Sequence, residues 1–226
     1  IHHDTKSSAS ASGAGYYPRS SAYSSSEKFV TSVWSQAAEY FKDYDYHLIF
    51  ETLNEPRLIG TGYEWWFNKW SIPSEVKDAI DCINKLNQKA VDTIRDTGSN
   101  NRGRLIMCPG YDASIDGATV SGFKLPTDIS GNKNRIALSV HAYSPYNFAM
   151  NVGSGSTSTY TSSIKNELQG LFSTLKSNFR DKGIPVVIGE FGSTDKNNTA
   201  ERVKWATDYT ALAKKNNIPC VLWDNN

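Results

Sequence analysis

The chain has 226 residues, 38% hydrophobic and 21% charged, a composition typical of one folded domain with a substantial core. Its net charge of +1 leaves no basic surplus to neutralise phosphates, so we expect no nucleic acid partner. No apolar run reaches the length of a membrane span, and we expect none.

The first half of the chain predicts two helices and two short apolar strands. Ser26 is a candidate N-cap for the first helix. A loop with Trp65, Trp66 and Trp70 separates the first strand from the second helix, and these tryptophans either form an outer sugar-binding surface or pack their loop. The predicted elements are a helix with Phe29, Val33, Ala37 and Tyr40 on one face, a strand at 47–50, a helix from about Ser74 to Thr97 and a strand at 105–108.

The second half continues the alternation of strands and helices. A strand at 136–140 ends in His141, and a strand at 185–188 leads to Glu190. This order predicts an α/β protein with a parallel sheet. The other elements are a helix carrying Ile164 to Phe179, a helix from about Thr199 that carries Val203, Ala206, Leu212 and Ala213, and a strand at 219–222.

Polar or aromatic side chains follow four of these strands and a further strand stub at Ile1. A (β/α)8 barrel builds its active site at the C-terminal ends of many strands, whereas a doubly wound sheet uses one or two. We therefore expect a (β/α)8 TIM barrel and a single catalytic domain over residues 1–226. The residues at the strand ends are His2, Glu55, His141, Glu190 and Trp223.

The barrel is expected to be incomplete. We count six strands, including a stub at Ile1, against the eight of a closed barrel. The chain begins without methionine and stops just after Trp223. We therefore expect a fragment that lacks the first two barrel strands and ends after the last one.

Two glutamates are candidates for the chemistry. Glu55 lies between Asn54 and Pro56, and the proline limits the conformation of the residue before it and helps to end the strand. Glu190 ends an apolar strand, where burying an unpaired carboxylate is costly. A pair of carboxylates, one acid and one nucleophile, is the equipment of a glycosidase. Glu51 lies within a strand and is expected to be a structural partner.

Other chemistries find less support. His2 and His3 lack a His-x-His spacing, and the chain has 4 histidines, so we expect no metal. A Gly-x-Ser-x-Gly elbow and a glycine-rich phosphate loop are both missing from the sequence. We expect buried free thiols at Cys82, Cys108 and Cys220.

Five segments carry a family resemblance. Residues 47–57, which read HLIFETLNEPR, closely resemble the acid/base segment of glycoside hydrolase family 5, subfamily 4. Residues 85–88 (KLNQ), 139–146 (SVHAYSPY), 188–192 (IGEFG) and 221–224 (VLWD) resemble further segments of that family, in its order. The resemblance covers essentially the whole chain.

The resemblance implies a (β/α)8 barrel and a retaining double displacement without metal or organic cofactor. The family also has an arginine on its second strand, which has no counterpart here. By resemblance Glu55 is the acid/base, Glu190 is the nucleophile, Asn54, His141 and Tyr143 support them, Trp223 is the platform under the sugar, and His2, with His3 beside it, binds sugar.

The expected activity is endo-hydrolysis of β-1,4-glucosidic bonds in cellulose or related β-glucan polysaccharides or oligosaccharides. Xyloglucanase, lichenase, xylanase and mannanase remain open as sibling activities, and a non-catalytic carbohydrate-binding barrel remains open for the fragment. We expect the protein to be secreted and extracellular, because polymeric substrates do not enter cells. We also expect a monomer.

Overall fold

The computed structural model describes residues 1–2 and 5–224. The chain divides into two compact units, Ile1–Ser139 and Val140–Asn226, called here the first and second unit. The expectation of a single domain over 1–226 stays a prediction. His3 lies outside the described residues.

The first unit contains the longest helix and three strands. Helices α1 (Tyr23–Phe41) and α2 (Ser74–Asp96) pack together on a buried cluster that includes Trp34, Phe50 and Ile94. Gly98, with φ +75°, follows α2 as its C-terminal stop, as predicted. The elements are α1 Tyr23–Phe41, β1 Phe50–Glu51, α2 Ser74–Asp96, β2 Ile106–Pro109, α3 Ile115–Thr119 and β3 Ile136–His141, which continues into the second unit, with short 3-10 turns at Ser20–Ala22, Ser99–Arg102 and Tyr111–Ala113.

The start of α1 corrects the predicted cap. The helix begins at Tyr23, one turn before the predicted position. Ser26 is buried inside the helix, and its hydroxyl accepts a hydrogen bond from the Tyr17 N–H and donates to the Tyr17 carbonyl. The buried face is shifted by one residue from the predicted one and consists of Ser26, Val30, Trp34 and Ala38, whereas Tyr40 is 76% exposed.

Strand β1 is shorter and later than predicted. The carboxylate of Asp45 accepts a hydrogen bond from the His47 N–H and lies 3.1 Å from His47 Nδ1, which holds this segment in a turn. Ile49 is 44% exposed, so the strand begins only at Phe50. Strands β1, β2 and β3 pair in parallel, with Phe50 opposite Ile106 and Ile106 opposite Ile136.

The second unit has an aromatic core. Phe191 stacks on Tyr209 with ring centroids 4.5 Å apart, and Trp205 and Phe148 pack beside them. The predicted helix from about Thr199 is present as α6, Thr199–Asn216, and Val203 is 60% exposed because the larger aromatic residues of the helix turn inward. The elements are α4 Tyr146–Ala149, α5 Ser162–Asn178, β4 Val186–Phe191, α6 Thr199–Asn216 and β5 Cys220–Leu222, with a 3-10 turn at Arg180–Lys182.

The described residues form five strands rather than six. Ile1 is not part of a strand, but its carbonyl accepts a hydrogen bond from the Asn54 N–H. Strands β4 and β5 are parallel, and the Ala142 N–H, just after β3, donates to the carbonyl of Glu190 at the end of β4. The predicted parallel α/β organisation is confirmed.

The three cysteines are free thiols, as predicted. Burial raises the pKa of Cys82 and of Cys108 to about 12. Cys220 is only partly buried. Across residues 1–2 and 5–224, no helix combines the length and the apolar character that crossing a membrane requires.

Candidate active site

The segment that leads to Glu55 is tied to α2. The Thr52 hydroxyl donates to the side-chain oxygen of Asn87 at 2.6 Å, and the amide of Asn87 donates to the Pro109 carbonyl at 2.8 Å. Asn87 is fully buried. The Asn87 side chain of α2 therefore links the side chain of Thr52, three residues before Glu55, to the backbone at the end of β2.

Glu55 lies among charged side chains of its own loop. Arg57 Nη1 donates to the Glu55 carbonyl at 2.9 Å and lies 3.7 Å from Glu55 Oε2. Arg57 Nε lies 3.5 Å from Glu64 Oε1. The Glu55 side chain remains 18% exposed. Arg57 and Glu64 were missed by the sequence analysis, although Arg57 stands inside the quoted segment 47–57.

Asn54 and His2 lie beside this segment. Asn54 is 8% exposed, and its Oδ1 is buried without a hydrogen-bond partner among residues 1–2 and 5–224. A buried acceptor of this kind retains the capacity to bind a hydroxyl. His2 is exposed and follows Ile1, whose carbonyl accepts from the Asn54 N–H.

Glu190 is held by the residues after β3. The Tyr143 hydroxyl donates to Glu190 Oε2 at 2.6 Å, and His141 Nδ1 lies 3.4 Å from the same oxygen. Glu190 is 9% exposed and His141 is 8% exposed. The structure therefore brings together three of the predicted site residues, within the second unit.

Helix α6 fixes the backbone on both sides of Tyr143. The Tyr209 hydroxyl donates to the Ala142 carbonyl at 3.0 Å, and the Trp205 indole N–H donates to the Ser144 carbonyl at 2.9 Å. Burial raises the pKa of Tyr209 well above its ordinary value, so its hydroxyl stays protonated and can donate. The sequence analysis missed both anchors, because it named only Val203, Ala206, Leu212 and Ala213 on this helix.

Trp223 follows β5 and is 43% exposed. The backbone N–H of Trp223 donates to the carbonyl of Phe191, the residue after Glu190, at 2.9 Å. A Cβ at Gly192 would lie 3.0 Å from the Trp223 carbonyl and 3.5 Å from the Tyr143 ring. Glycine at 192 therefore permits the close approach of Trp223 and Tyr143 to the end of β4.

Glu51 has the structural role predicted for it. Its Oε1 accepts a hydrogen bond from the Ser139 hydroxyl, which is fully buried in β3. The two candidate carboxylates differ from it in lying beyond the strand or at its end. Glu190 is nearly buried and accepts a hydrogen bond from a phenol, whereas Glu55 is more exposed and lies beside an ion pair. Carboxylates in such different surroundings can take different roles in catalysis.

Parallel strands with carboxylates at their C-terminal ends are typical of barrel glycosidases, and comparison with known proteins identifies the class. The family described as "Cellulase (glycosyl hydrolase family 5)" matches residues 1–226. The chain therefore belongs to glycosyl hydrolase family 5. It is 50% identical over 198 residues, 87% of the chain, to Endoglucanase A of Clostridium longisporum, and 40% identical over 201 residues, 89% of the chain, to Endoglucanase B of Neocallimastix patriciarum.

Solved structures agree with this family. A family 5 lichenase from Caldicellulosiruptor sp. F32 in complex with cellotetraose aligns over 99% of this chain and 59% of its own, with TM-score 0.92 and 45% identity. A GH5-4 broad specificity endoglucanase from Ruminococcus champanellensis with bound cellotriose aligns over 100% of this chain and 60% of its own, with TM-score 0.86 and 40% identity. The predicted (β/α)8 barrel, present as a partial barrel, and the predicted resemblance to family 5, subfamily 4 are confirmed.

The chain spans 36% and 40% of the length of the two endoglucanases named above.

Proposed function

We propose that the protein containing this chain hydrolyses internal β-1,4-glucosidic bonds of cellulose or related β-glucans with retention of configuration. Family membership and the names of the related endoglucanases support this activity. The observation that carries the chemistry is the Tyr143 hydroxyl, which donates to Glu190 Oε2 at 2.6 Å and fixes one carboxylate oxygen. A phenol bonded to one oxygen of a carboxylate orients the other oxygen for attack.

In the first step Glu55 acts as acid and Glu190 as nucleophile. A carboxylate oxygen of Glu190 bonds to the anomeric carbon, the glucosidic bond breaks, and the Glu55 carboxyl gives its proton to the departing oxygen. A glycosyl ester of Glu190 and a shortened glucan with a free hydroxyl result.

In the second step Glu55 acts as base. A water molecule bonds to the anomeric carbon, its proton passes to the Glu55 carboxylate, and the ester bond to Glu190 breaks. Both glutamates return to their starting states, and the two inversions give net retention. Neither step uses a metal or an organic cofactor.

The neighbouring residues take supporting roles in this proposal. His141 shares the hydrogen-bonding surroundings of Glu190, and Asn54 binds a sugar hydroxyl through its buried oxygen. Trp223, 43% exposed, covers the apolar face of a pyranose. His2 and His3 bind sugar hydroxyls.

A second candidate is lichenase activity on mixed-linkage β-glucan. Two similar structures bear the name lichenase, at 45% and 46% identity. Initial rates on carboxymethylcellulose, lichenan, xyloglucan, xylan and mannan distinguish these activities. The highest kcat/KM on lichenan would replace endoglucanase with lichenase as the main function.

We propose further that the protein is secreted and monomeric. A polymeric glucan cannot enter a cell, so the chemistry requires the enzyme to meet its substrate outside. Gel filtration of the protein and assay of the culture medium of its source test both points.

Substitution of the two glutamates tests the mechanism. In the full-length protein, Glu190→Ala is expected to abolish hydrolysis of carboxymethylcellulose because no nucleophile remains. Glu55→Ala is expected to lose most activity on carboxymethylcellulose, but to retain turnover of substrates with good leaving groups or to be rescued on them by azide, which needs no base to attack the glycosyl ester. The control is Glu167→Ala, on the exposed face of α5. Activity of Glu190→Ala near that of the control would contradict the proposal.

A further inference from the structure

The loop after Glu55 is packed by a residue that follows β2 rather than by its own tryptophans. Aromatic rings that are 59%, 69% and 89% exposed do little to pack a loop, and these are the values of Trp65, Trp66 and Trp70. Leu58 and Phe67 of the same loop are buried in a cluster with Tyr111. The rings of Phe67 and Tyr111 meet edge to face, with their centroids 5.3 Å apart.

The hydroxyl of Tyr111 binds the loop at two separate points. It accepts a hydrogen bond from the Leu58 N–H at 3.0 Å and donates one to the Tyr63 carbonyl at 2.5 Å. Tyr111 is 1% exposed, and burial raises the pKa of its hydroxyl above its ordinary value. The hydroxyl therefore stays protonated and keeps both bonds.

The turn after β2 has a fixed backbone. Asp112 and Ala113 have φ of +57° and +47°, a left-handed conformation that is unfavourable for residues with a side chain. A Cβ at Gly110 would lie 2.6 Å from the carbonyl oxygen of Gly117 in α3, so the two backbones are in close contact. The Asp112 N–H donates to the carbonyl of Pro56, the residue after the candidate acid, at 2.8 Å. Backbone strain of this kind persists only where the surrounding structure holds it, and it is concentrated at functional sites.

The two points that Tyr111 binds adjoin the charged pair beside Glu55. Leu58 follows Arg57 in the chain, and Tyr63 precedes Glu64. Glu64 Oε1 lies 3.5 Å from Arg57 Nε. Arg57 Nη1 in turn lies 3.7 Å from Glu55 Oε2 and donates to the Glu55 carbonyl. A continuous set of contacts therefore runs from the Tyr111 hydroxyl to the Glu55 carboxylate, all within the first unit.

We propose that Tyr111 is a positioning residue for Glu55. Its hydroxyl fixes the backbone from which Arg57 and Glu64 extend, and Arg57 carries this support to the carboxylate. The inference rests on the proposed role of Glu55 as acid. A proton donor must lie within hydrogen-bonding reach of the oxygen that it protonates, and small displacements lower the rate steeply. Loss of the hydroxyl therefore impairs proton delivery to the leaving group.

Tyr111→Phe tests this role, because it keeps the buried ring and removes both hydrogen bonds of the hydroxyl. Cellopentaose has a sugar leaving group that needs a proton, whereas the phenol of 2,4-dinitrophenyl β-cellobioside leaves without one. The kcat/KM on cellopentaose is expected to fall roughly tenfold. The kcat/KM on the aryl cellobioside is expected to stay within about twofold of wild type. A variant that is merely less folded would lose the same factor on both substrates.

Tyr17→Phe is the matched control. Tyr17 belongs to the same buried cluster, and its hydroxyl donates to the Ile59 carbonyl of the same loop at 3.1 Å. Its kcat/KM is expected to change less than about twofold on either substrate, because Ile59 adjoins neither Arg57 nor Glu64. Equal losses on the two substrates in Tyr111→Phe, or the same selective loss in Tyr17→Phe, would overturn the proposal.

Glu64→Gln tests the same set of contacts without changing the core, since the Glu64 side chain is 23% exposed. It is expected to lower kcat/KM on cellopentaose roughly threefold and to leave the aryl cellobioside unaffected. The double variant with Tyr111→Phe is expected to lose no more than Tyr111→Phe alone, because both changes act through Arg57. No selective loss in Glu64→Gln, or losses that multiply in the double variant, would contradict the proposal.

Glu55→Ala on the same two substrates separates this inference from the proposed mechanism. Because kcat/KM reports formation of the glycosyl ester, the loss in this variant is expected to be far larger on cellopentaose than on the aryl cellobioside. Equal losses in Glu55→Ala would sink the acid role itself. A selective loss in Glu55→Ala together with equal losses in Tyr111→Phe would sink only the positioning role of Tyr111.

Discussion

Glu190 and Glu55 are positioned by different means. Glu190 belongs to the six-residue strand β4, and its side chain is fixed by Tyr143. Glu55 follows β1, which has two residues, and its surroundings are the side chains of Arg57 and Glu64. A regular strand and a phenol support the first carboxylate, whereas a loop with an ion pair supports the second.

The difference suits the two roles that we propose. A nucleophile has to keep one orientation, and a nearly buried strand end bonded to a phenol provides it. An acid/base exchanges a proton in each step, and a partly exposed side chain allows that exchange. The support of each carboxylate is open to test by substitutions that spare the carboxylate itself.

The largest effect is expected from Tyr143→Phe, which removes the hydrogen bond to Glu190 Oε2. A hydrogen bond to a charged group contributes about 1.5–3 kcal/mol, so kcat is expected to fall roughly ten- to a hundredfold. Tyr160→Phe is the control, because Tyr160 donates to the carboxylate of Asp208 at 3.1 Å in the same unit. Equal kinetics for the two variants would show that Tyr143 does not position the nucleophile.

A smaller effect is expected from Arg57→Met, which removes the donor to the Glu55 carbonyl and the charge beside Glu55. Loss of about 1 kcal/mol of positioning corresponds to roughly a fivefold fall in kcat/KM. The loss is expected to grow across aryl cellobiosides as the leaving phenol becomes less acidic, because poor leaving groups need the acid most.

Arg19→Met serves as the control for Arg57, since Arg19 pairs with Asp78 at 3.1 Å in the same unit. A loss in Arg57→Met that is equal for every phenol would assign Arg57 a role in stability alone. The comparison between the two carboxylates would then rest on Glu190.

The sequence predicts regular elements better than it predicts their support. The helix at Ser74–Asp96 and the glutamate at the end of β4 follow from periodicity and from the cost of burying a charge. The short β1 does not follow from the sequence pattern. The apolar run at 47–50 predicts a strand, but the hydrogen bond from the His47 N–H to Asp45 holds the start of that run in a turn. The roles of Trp205 and Tyr209 were not predicted, because the apolar residues of α6 do not form a clear helical stripe. The face of α6 that turns inward is therefore decided by tertiary packing.

The sequence pattern does not predict the role of Arg57 either. An arginine two residues after a glutamate reads as an ordinary solvated charge, and only the folded loop brings Glu64 and Trp65 to it. Asn87 is similar, since its segment carries a family resemblance but its hydrogen bonds to Thr52 and Pro109 depend on tertiary structure.

The smallest effects are expected from a pair of buried indoles, one in each unit. The indole N–H of Trp34 donates to the Thr52 carbonyl at 3.0 Å, and the indole N–H of Trp205 donates to the Ser144 carbonyl at 2.9 Å. Trp34→Phe and Trp205→Phe each leave a carbonyl without its donor and are expected to lower the free energy of unfolding by about 1–2 kcal/mol, measured by urea denaturation.

Their effects on catalysis are expected to differ. Ser144 follows Tyr143 directly, so Trp205→Phe loosens the phenol that holds Glu190, and kcat is expected to fall about threefold, a cost of under 1 kcal/mol. Thr52 remains tied to Asn87 after Trp34→Phe, and kcat is expected to stay within about twofold of wild type. A larger kcat loss in Trp34→Phe than in Trp205→Phe would reverse the comparison, because Glu55 would then depend on its backbone support more than Glu190 does.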